Sequence, residues 1–251
     1  MFLDGSPQGK TAWMLSPYKG EDSYCGYPTH SDEEVDELLT EVLKRKKQVL
    51  VHCNGDAAAE QYIRELEKLK EKYSLDDLHR PVMIHAQLVQ KNQLDRMKKL
   101  RMIPSFFTSH TYYWGDIHIQ NFGFERASSI SPARSAQLFK MPFTFHQDSP
   151  VVPCNMMKTI WCAVNRITRN GIVLGEDEKI DVYTALKAVT IYGAYQYFEE
   201  DKKGSIEVGK KADFVILEKN PLKVDPKALD QIQVLETIHE GRVVFKKENE
   251  Q

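Results

Sequence analysis

The 251-residue chain has no excess of one charge: 34 Lys and Arg stand against 36 Asp and Glu, a formal net charge of -2. A polyanion held on a basic face is therefore not the default partner, and no nucleic acid is expected. Nor is there a long apolar run. The longest stretches fall far short of the ~20 residues that a membrane-spanning helix needs, so no membrane partner is expected either. Cysteine is scarce, and Cys25, Cys53, Cys154 and Cys162 fall in no C-x-x-C or paired spacing. No basic, apolar, small-residue leader opens the sequence. Together these point to a reduced, cytoplasmic setting. The length suffices for one α/β barrel or two smaller domains around a sizeable core.

What is present is a repeating unit. Residues 31 to 46 open with Ser31 and Glu34 in a capping box, followed by Val35, Leu38, Leu39, Val42 and Leu43 at helical spacing. QVLVH then reads as a short strand ending at His52. Asp56 is placed to cap the next helix, whose Ala59, Tyr62, Ile63, Leu66 and Leu69 form one apolar face. RPVMIHAQ gives a strand ending at His85, IPSFFTSH one ending near His110, and MPFTFHQDSPV one ending near Asp148. The intervals between these ends are 33, 25 and 38 residues, the spacing of βα units on a parallel sheet. Four such units make half of an eight-stranded barrel. Helices are expected around Val182 to Val189 and Ile191 to Phe198, and strands at ADFVILE and VLETIHEGRVVF, with Glu240-Gly241 as a hairpin turn.

Polar, coordinating side chains at the carboxyl ends of apolar strands have a physical reason in such a fold, because a parallel barrel gathers its active site there. One His at a strand end is most often a hydrogen-bonded structural residue. Several on successive strands, about 4.8 Å apart, converge on one cavity. Two imidazoles and a carboxylate there suit a zinc-type site.

The phrases FLDGSPQGKTAWMLSPY, VHCNGDAAAEQ, RPVMIHAQ, QDSPV and GSIEVGKKADFVILEKNPL, in that order, resemble the carboxyl-terminal half of the amidohydrolase superfamily, in its N-substituted formamide deformylase-like group. The resemblance implies strands five to eight of a metallo-dependent hydrolase (β/α)8 barrel over 1–200. It implies strands of a composite β-sandwich over 201–251. It also implies metal-dependent hydrolysis of non-peptide carbon-nitrogen bonds in a small amide, N-substituted formamide or cyclic imide. His52 and His85 would be metal ligands, and Asp148 a ligand that also takes a proton from the attacking water. The cofactor would be a divalent metal, zinc by expectation.

The family pattern also asks for a His-x-His pair and a carboxylated lysine, and this sequence has neither. A truncated fragment is the expectation, inactive alone and binding metal weakly or not at all, with the missing amino-terminal half as its partner. Its cut edges would favour self-association, or the apolar segment from Met1 to Tyr18 could fold over one of them. A non-catalytic binding or regulatory module and a subunit of a split enzyme remain alternatives. Seven aromatics between Phe106 and Phe124 are either ordinary core or an apolar substrate wall, with His110, Tyr112 and Trp114 as candidate substrate-binding residues. Cys53, beside His52, is expected to be a packed, inert thiol. GSPQGKT has three residues between its glycines where a phosphate loop has four, and that reading is rejected.

Overall fold

A computed structural model describes residues 1–248 except 75 and 77. The capping box forms: Ser31 Oγ accepts the Glu34 N–H at 3.2 Å and Glu34 Oε2 accepts the Ser31 N–H at 2.8 Å. It starts α1 (Asp32–Lys44), which buries Val35, Leu39 and Leu43. Strands β1 (Leu50–Cys53), β2 (Val82–His85), β3 (Ile103–Phe106) and β4 (Thr144–Phe145) then pair in chain order, all parallel.

Parallel neighbours need long crossovers. Here α2 (Asp56–Lys70) and α3 (Lys91–Lys99) supply the first two, and α4 (His110–Phe122), α5 (Phe124–Ser128) and α6 (Ala133–Leu138) the third. After β4 come α7 (Met156–Asn165), α8 (Val182–Ala188) and α9 (Ile191–Gln196). Strands covered by helices read as continuous apolar runs. All four residues of β3 are buried, and Phe106 shares one core with Tyr62, Ile63, Leu66 and Leu69 of α2, Met97 of α3 and Ile160 of α7. Each fully buried side chain of this size contributes roughly 1.5–3 kcal/mol. The chain is thus an α/β protein built on a parallel sheet.

Three boundaries differ from expectation. The strand expected to reach His110 stops at Phe106, because Thr108 Oγ1 donates to Thr159 O at 3.0 Å and turns the chain toward α7; His110 is the first residue of α4. Strand β4 has two residues and ends before Asp148, which lies in a turn. Asp56 is not a cap. Gly55 holds the cap position, and a Cβ there would lie 1.8 Å from Trp13 O. The Asp56 carboxylate instead accepts the Leu15 N–H and the Gln90 amide, both at 2.8 Å, tying the amino-terminal segment to the start of α3.

That amino-terminal segment does cover an edge. The His52 N–H donates to Met1 O at 2.9 Å and the Leu3 N–H to His52 O at 3.0 Å, so residues 1–3 run parallel to β1 along its outer side. Farther on, β5 (Phe214–Leu217), β6 (Val234–His239) and β7 (Arg242–Lys246) form a separate antiparallel sheet. Its hairpin turns at Glu240 and Gly241, both with positive φ, as a primed two-residue turn requires.

Candidate metal centre

The register pairs His52 with Ile84 and His85 with Cys53, so strict alternation would send the two imidazoles to opposite faces. They meet nonetheless, with ring centroids 4.6 Å apart. His85 has φ +69° and Ala86 φ +44°, a left-handed pair at the strand end that breaks the alternation. Asp148 is also left-handed, at φ +53°. Each such non-glycine residue costs of order 1–3 kcal/mol, and strain of this kind concentrates at functional sites.

His146 completes the cluster. Its Nε2 lies 3.2 Å from His85 Nδ1, and its Nδ1 lies 3.1 Å from Ser105 Oγ. His85, His146 and Asp148 each offer a ligand atom, and these atoms all lie within 4.8 Å of one another. Burial holds both rings neutral: desolvation first, then the neighbouring imidazoles, takes His85 down to about 2, and desolvation with His52 takes His146 to about 4. A metal ligand must be the neutral imidazole, so this environment prepares both rings. Two uncharged nitrogens and an exposed carboxylate oxygen form a donor set that fits a divalent cation such as zinc.

Of the sequence-predicted ligands, His85 and Asp148 come together and His52 stands beside them. The His52 Nδ1 is buried with no formed hydrogen bond, 3.3 Å from Asp4 Oδ1. His110 is buried, its Nδ1 3.0 Å from His118 Nε2, and burial, followed by charge repulsion from the neighbouring His118 imidazole, holds it well below the usual histidine range. Its ring packs on Trp114 at 4.7 Å and lies 6.3 Å from His85, so His110 itself borders the cluster. Tyr112 faces the other way. Its ring receives Lys158 Nζ at 3.8 Å and lines a separate cavity of about 330 Å³ with Ser109, Gln147 and Lys158. Phe106, Phe107 and Phe122 are core, while Phe124 is exposed. Cys53 is fully buried and burial raises its thiol well above the ordinary value, so it is inert.

Sequence reasoning missed His146 and Asp4. The signal for the first was there: in T-F-H-Q-D, His146 precedes Asp148 by two, and a period of two places both on one face. Asp4, in Asp-Gly after an apolar run, reads as a turn residue, yet it is 3% exposed. Its Oδ1 accepts the Asn54 N–H at 2.9 Å, and its Oδ2 accepts those of Trp13 and Gly55 at 3.0 and 2.7 Å.

A model of the amidohydrolase family matches residues 1–245. The amidohydrolase YtcJ of Bacillus subtilis (strain 168) is 27% identical over 253 residues, covering 98% of this chain and 46% of that protein. The N-substituted formamide deformylase of Arthrobacter pascens is 25% identical, covering 89% of this chain and 41% of the enzyme. The crystal structure of a metal-dependent hydrolase from Pyrococcus horikoshii OT3 superposes with a TM-score of 0.78 at 26% identity, over 90% of this chain and 45% of that one. The chain spans less than half the length of each of these relatives.

Proposed function

This chain belongs to the amidohydrolase family, and from that membership we propose that it carries one half of a metal-dependent hydrolase that opens non-peptide carbon-nitrogen bonds. The observation that carries the reading is the convergence of His85, His146 and Asp148 at the carboxyl ends of β2 and β4. The N-substituted formamide deformylase supports N-substituted formamides as a substrate class, and the sequence resemblance adds amides and cyclic imides. The parallel layer is read as strands five to eight of a (β/α)8 barrel over 1–200, and residues 201–251 as part of a composite β-sandwich.

In this reading His85 and His146 hold the cation, with His52 able to join them. A bound zinc ion would lower the pKa of water toward ~7 and polarise the substrate carbonyl. Asp148, at the open side of the cluster, takes one proton from the attacking water as its oxygen bonds to the carbonyl carbon. It then returns that proton to nitrogen as the carbon-nitrogen bond breaks, leaving, from an amide or formamide, a carboxylic acid and an amine. His110, backed by Trp114, borders the cluster and excludes water from one side. The missing half supplies the remaining ligands, so the isolated chain binds metal weakly and does not turn over; self-association or the missing half closes the open sheet.

Zinc uptake by equilibrium dialysis tests this. The wild type takes up about one equivalent at micromolar or weaker affinity, and His85→Ala, His146→Ala and Asp148→Ala each abolish it. Two equivalents retained through dialysis, or uptake indifferent to all three substitutions, would contradict the reading. Amine release from an N-substituted formamide by the chain joined to its missing half separates a hydrolase from a module without turnover.

A further inference from the structure

Three groups around His52, the Gly5 carbonyl, the Asn54 amide and the Asp4 carboxylate, fix the position of one proton. The Gly5 carbonyl oxygen can only accept, and it lies 2.9 Å from Asn54 Nδ2, so the nitrogen end of the Asn54 amide faces it. The same Nδ2 lies 3.2 Å from His52 Nε2. An amide nitrogen only donates, so Nε2 must receive and carries no proton. The proton of the neutral ring is then on Nδ1, directed at Asp4 Oδ1 at 3.3 Å without the alignment of a full hydrogen bond. Asp4 cannot swing away, because its two oxygens are held by the backbone N–H groups of Asn54, Trp13 and Gly55. The Nε2 of His52 is thereby engaged, its Nδ1 faces Asp4 without a formed hydrogen bond, and the backbone of His52 is itself pinned to Met1 and Leu3.

We propose that Asn54 and Asp4 are positioning residues that hold His52 as its Nδ1–H tautomer, and that the Asn54 amide competes with a divalent cation for the Nε2 lone pair. The tautomer follows from the hydrogen-bond geometry alone. Its bearing on cation binding rests on the hydrolase reading. Both residues act through His52: neither belongs to the His85, His146 and Asp148 group. Loading of the site by His52 then requires the Asn54 side chain to give way, which sets the His52 contribution below that of a free imidazole.

The test uses the full 251-residue chain, labelled with nitrogen-15 and free of metal. Two-bond proton–nitrogen correlation of the imidazoles reports the tautomer without any substitution, and His52 is expected to show a protonated Nδ1 and a bare Nε2. Asn54→Asp replaces the donor by an acceptor and should place a proton on Nε2; Asn54→Leu removes the donor and should give a tautomer mixture. Zinc titration of Asn54→Leu should show roughly three- to tenfold tighter binding than wild type, the size of one lost competing hydrogen bond. A wild-type His52 protonated on Nε2 would overturn the proposal, as would Asn54→Leu with unchanged tautomer and unchanged affinity. Absence of zinc uptake in every form, with the expected tautomer in the wild type, would instead remove the hydrolase reading and leave the positioning roles standing.

Discussion

The two sheets of this chain solve the problem of apolar strands in opposite ways. The parallel layer buries its strands between helices: Val51, Cys53, Val82, Met83, Ile103 and Phe106 are all fully enclosed. The β5–β7 sheet leaves Val215, Ile216, Val243, Val244 and Phe245 about half exposed, and every residue of β7 is exposed. The first is a core whose strand faces are covered by the chain's own helices. The second has strand periodicity, a well-formed hairpin and cross-strand pairing but, among the described residues, no covering layer over β7, so its order rests on backbone pairing more than on burial. Both were read from the same kind of β-branched run, which shows that such a run specifies a strand without specifying that its faces are covered.

The comparison can be broken most severely with acid. His85, His110, His118 and His146 all lie in the parallel layer, and desolvation is the leading cause that lowers each of them, to about 2 for His85 and about 4 for His118 and His146. The unfolded chain takes up these protons near the ordinary value of about 6.5. Stability is therefore full above that pH and is lost as pH falls toward 4, where the unfolded state binds more protons. All three tryptophans, Trp13, Trp114 and Trp161, lie outside the small sheet, so their fluorescence during acid titration of the metal-free chain reports the layer.

Next in size is Phe106→Ala at the centre of the layer, expected to cost about 3–5 kcal/mol in urea unfolding. Ser31→Ala removes one side of the capping box at the edge of the layer, expected at about 1 kcal/mol by the same measurement. The smallest effect belongs to the other sheet: Val244→Ala, on exposed β7, should stay within about 0.5 kcal/mol. A loss of several kcal/mol there would mean that a covering partner, such as a second copy, is already in place under the conditions of the experiment.

Much of this was legible in the sequence because periodicity and caps are local. The ends of β1 and β2, α1 with its capping box, and the hairpin at Glu240-Gly241 follow from residues within a few positions of one another. The misreadings were tertiary. Nothing near His110 in sequence indicates that Thr108 bonds across to Thr159 and ends β3 early. Asp56 has the chemistry of a cap, but the Leu15 N–H and the Gln90 amide, distant in sequence, claim its carboxylate. At the centre, the strand patterns lead to His85 and to the turn that carries Asp148, and His146, two residues before Asp148, is legible in the same local pattern, whereas its approach to His85, 61 residues away, is not. The left-handed turn at His85, which lets its ring meet that of His52, has no glycine to announce it.

The claim on which the rest depends is that His85, His146 and Asp148 form a divalent-cation site. Anomalous diffraction at the zinc absorption edge, from crystals equilibrated with zinc, tests it most directly. The account predicts a peak enclosed by the two imidazole nitrogens and the Asp148 carboxylate, at about 2.0–2.2 Å from each. Zinc peaks found only elsewhere on the molecule, with His85 Nδ1 and His146 Nε2 still facing each other, would contradict it.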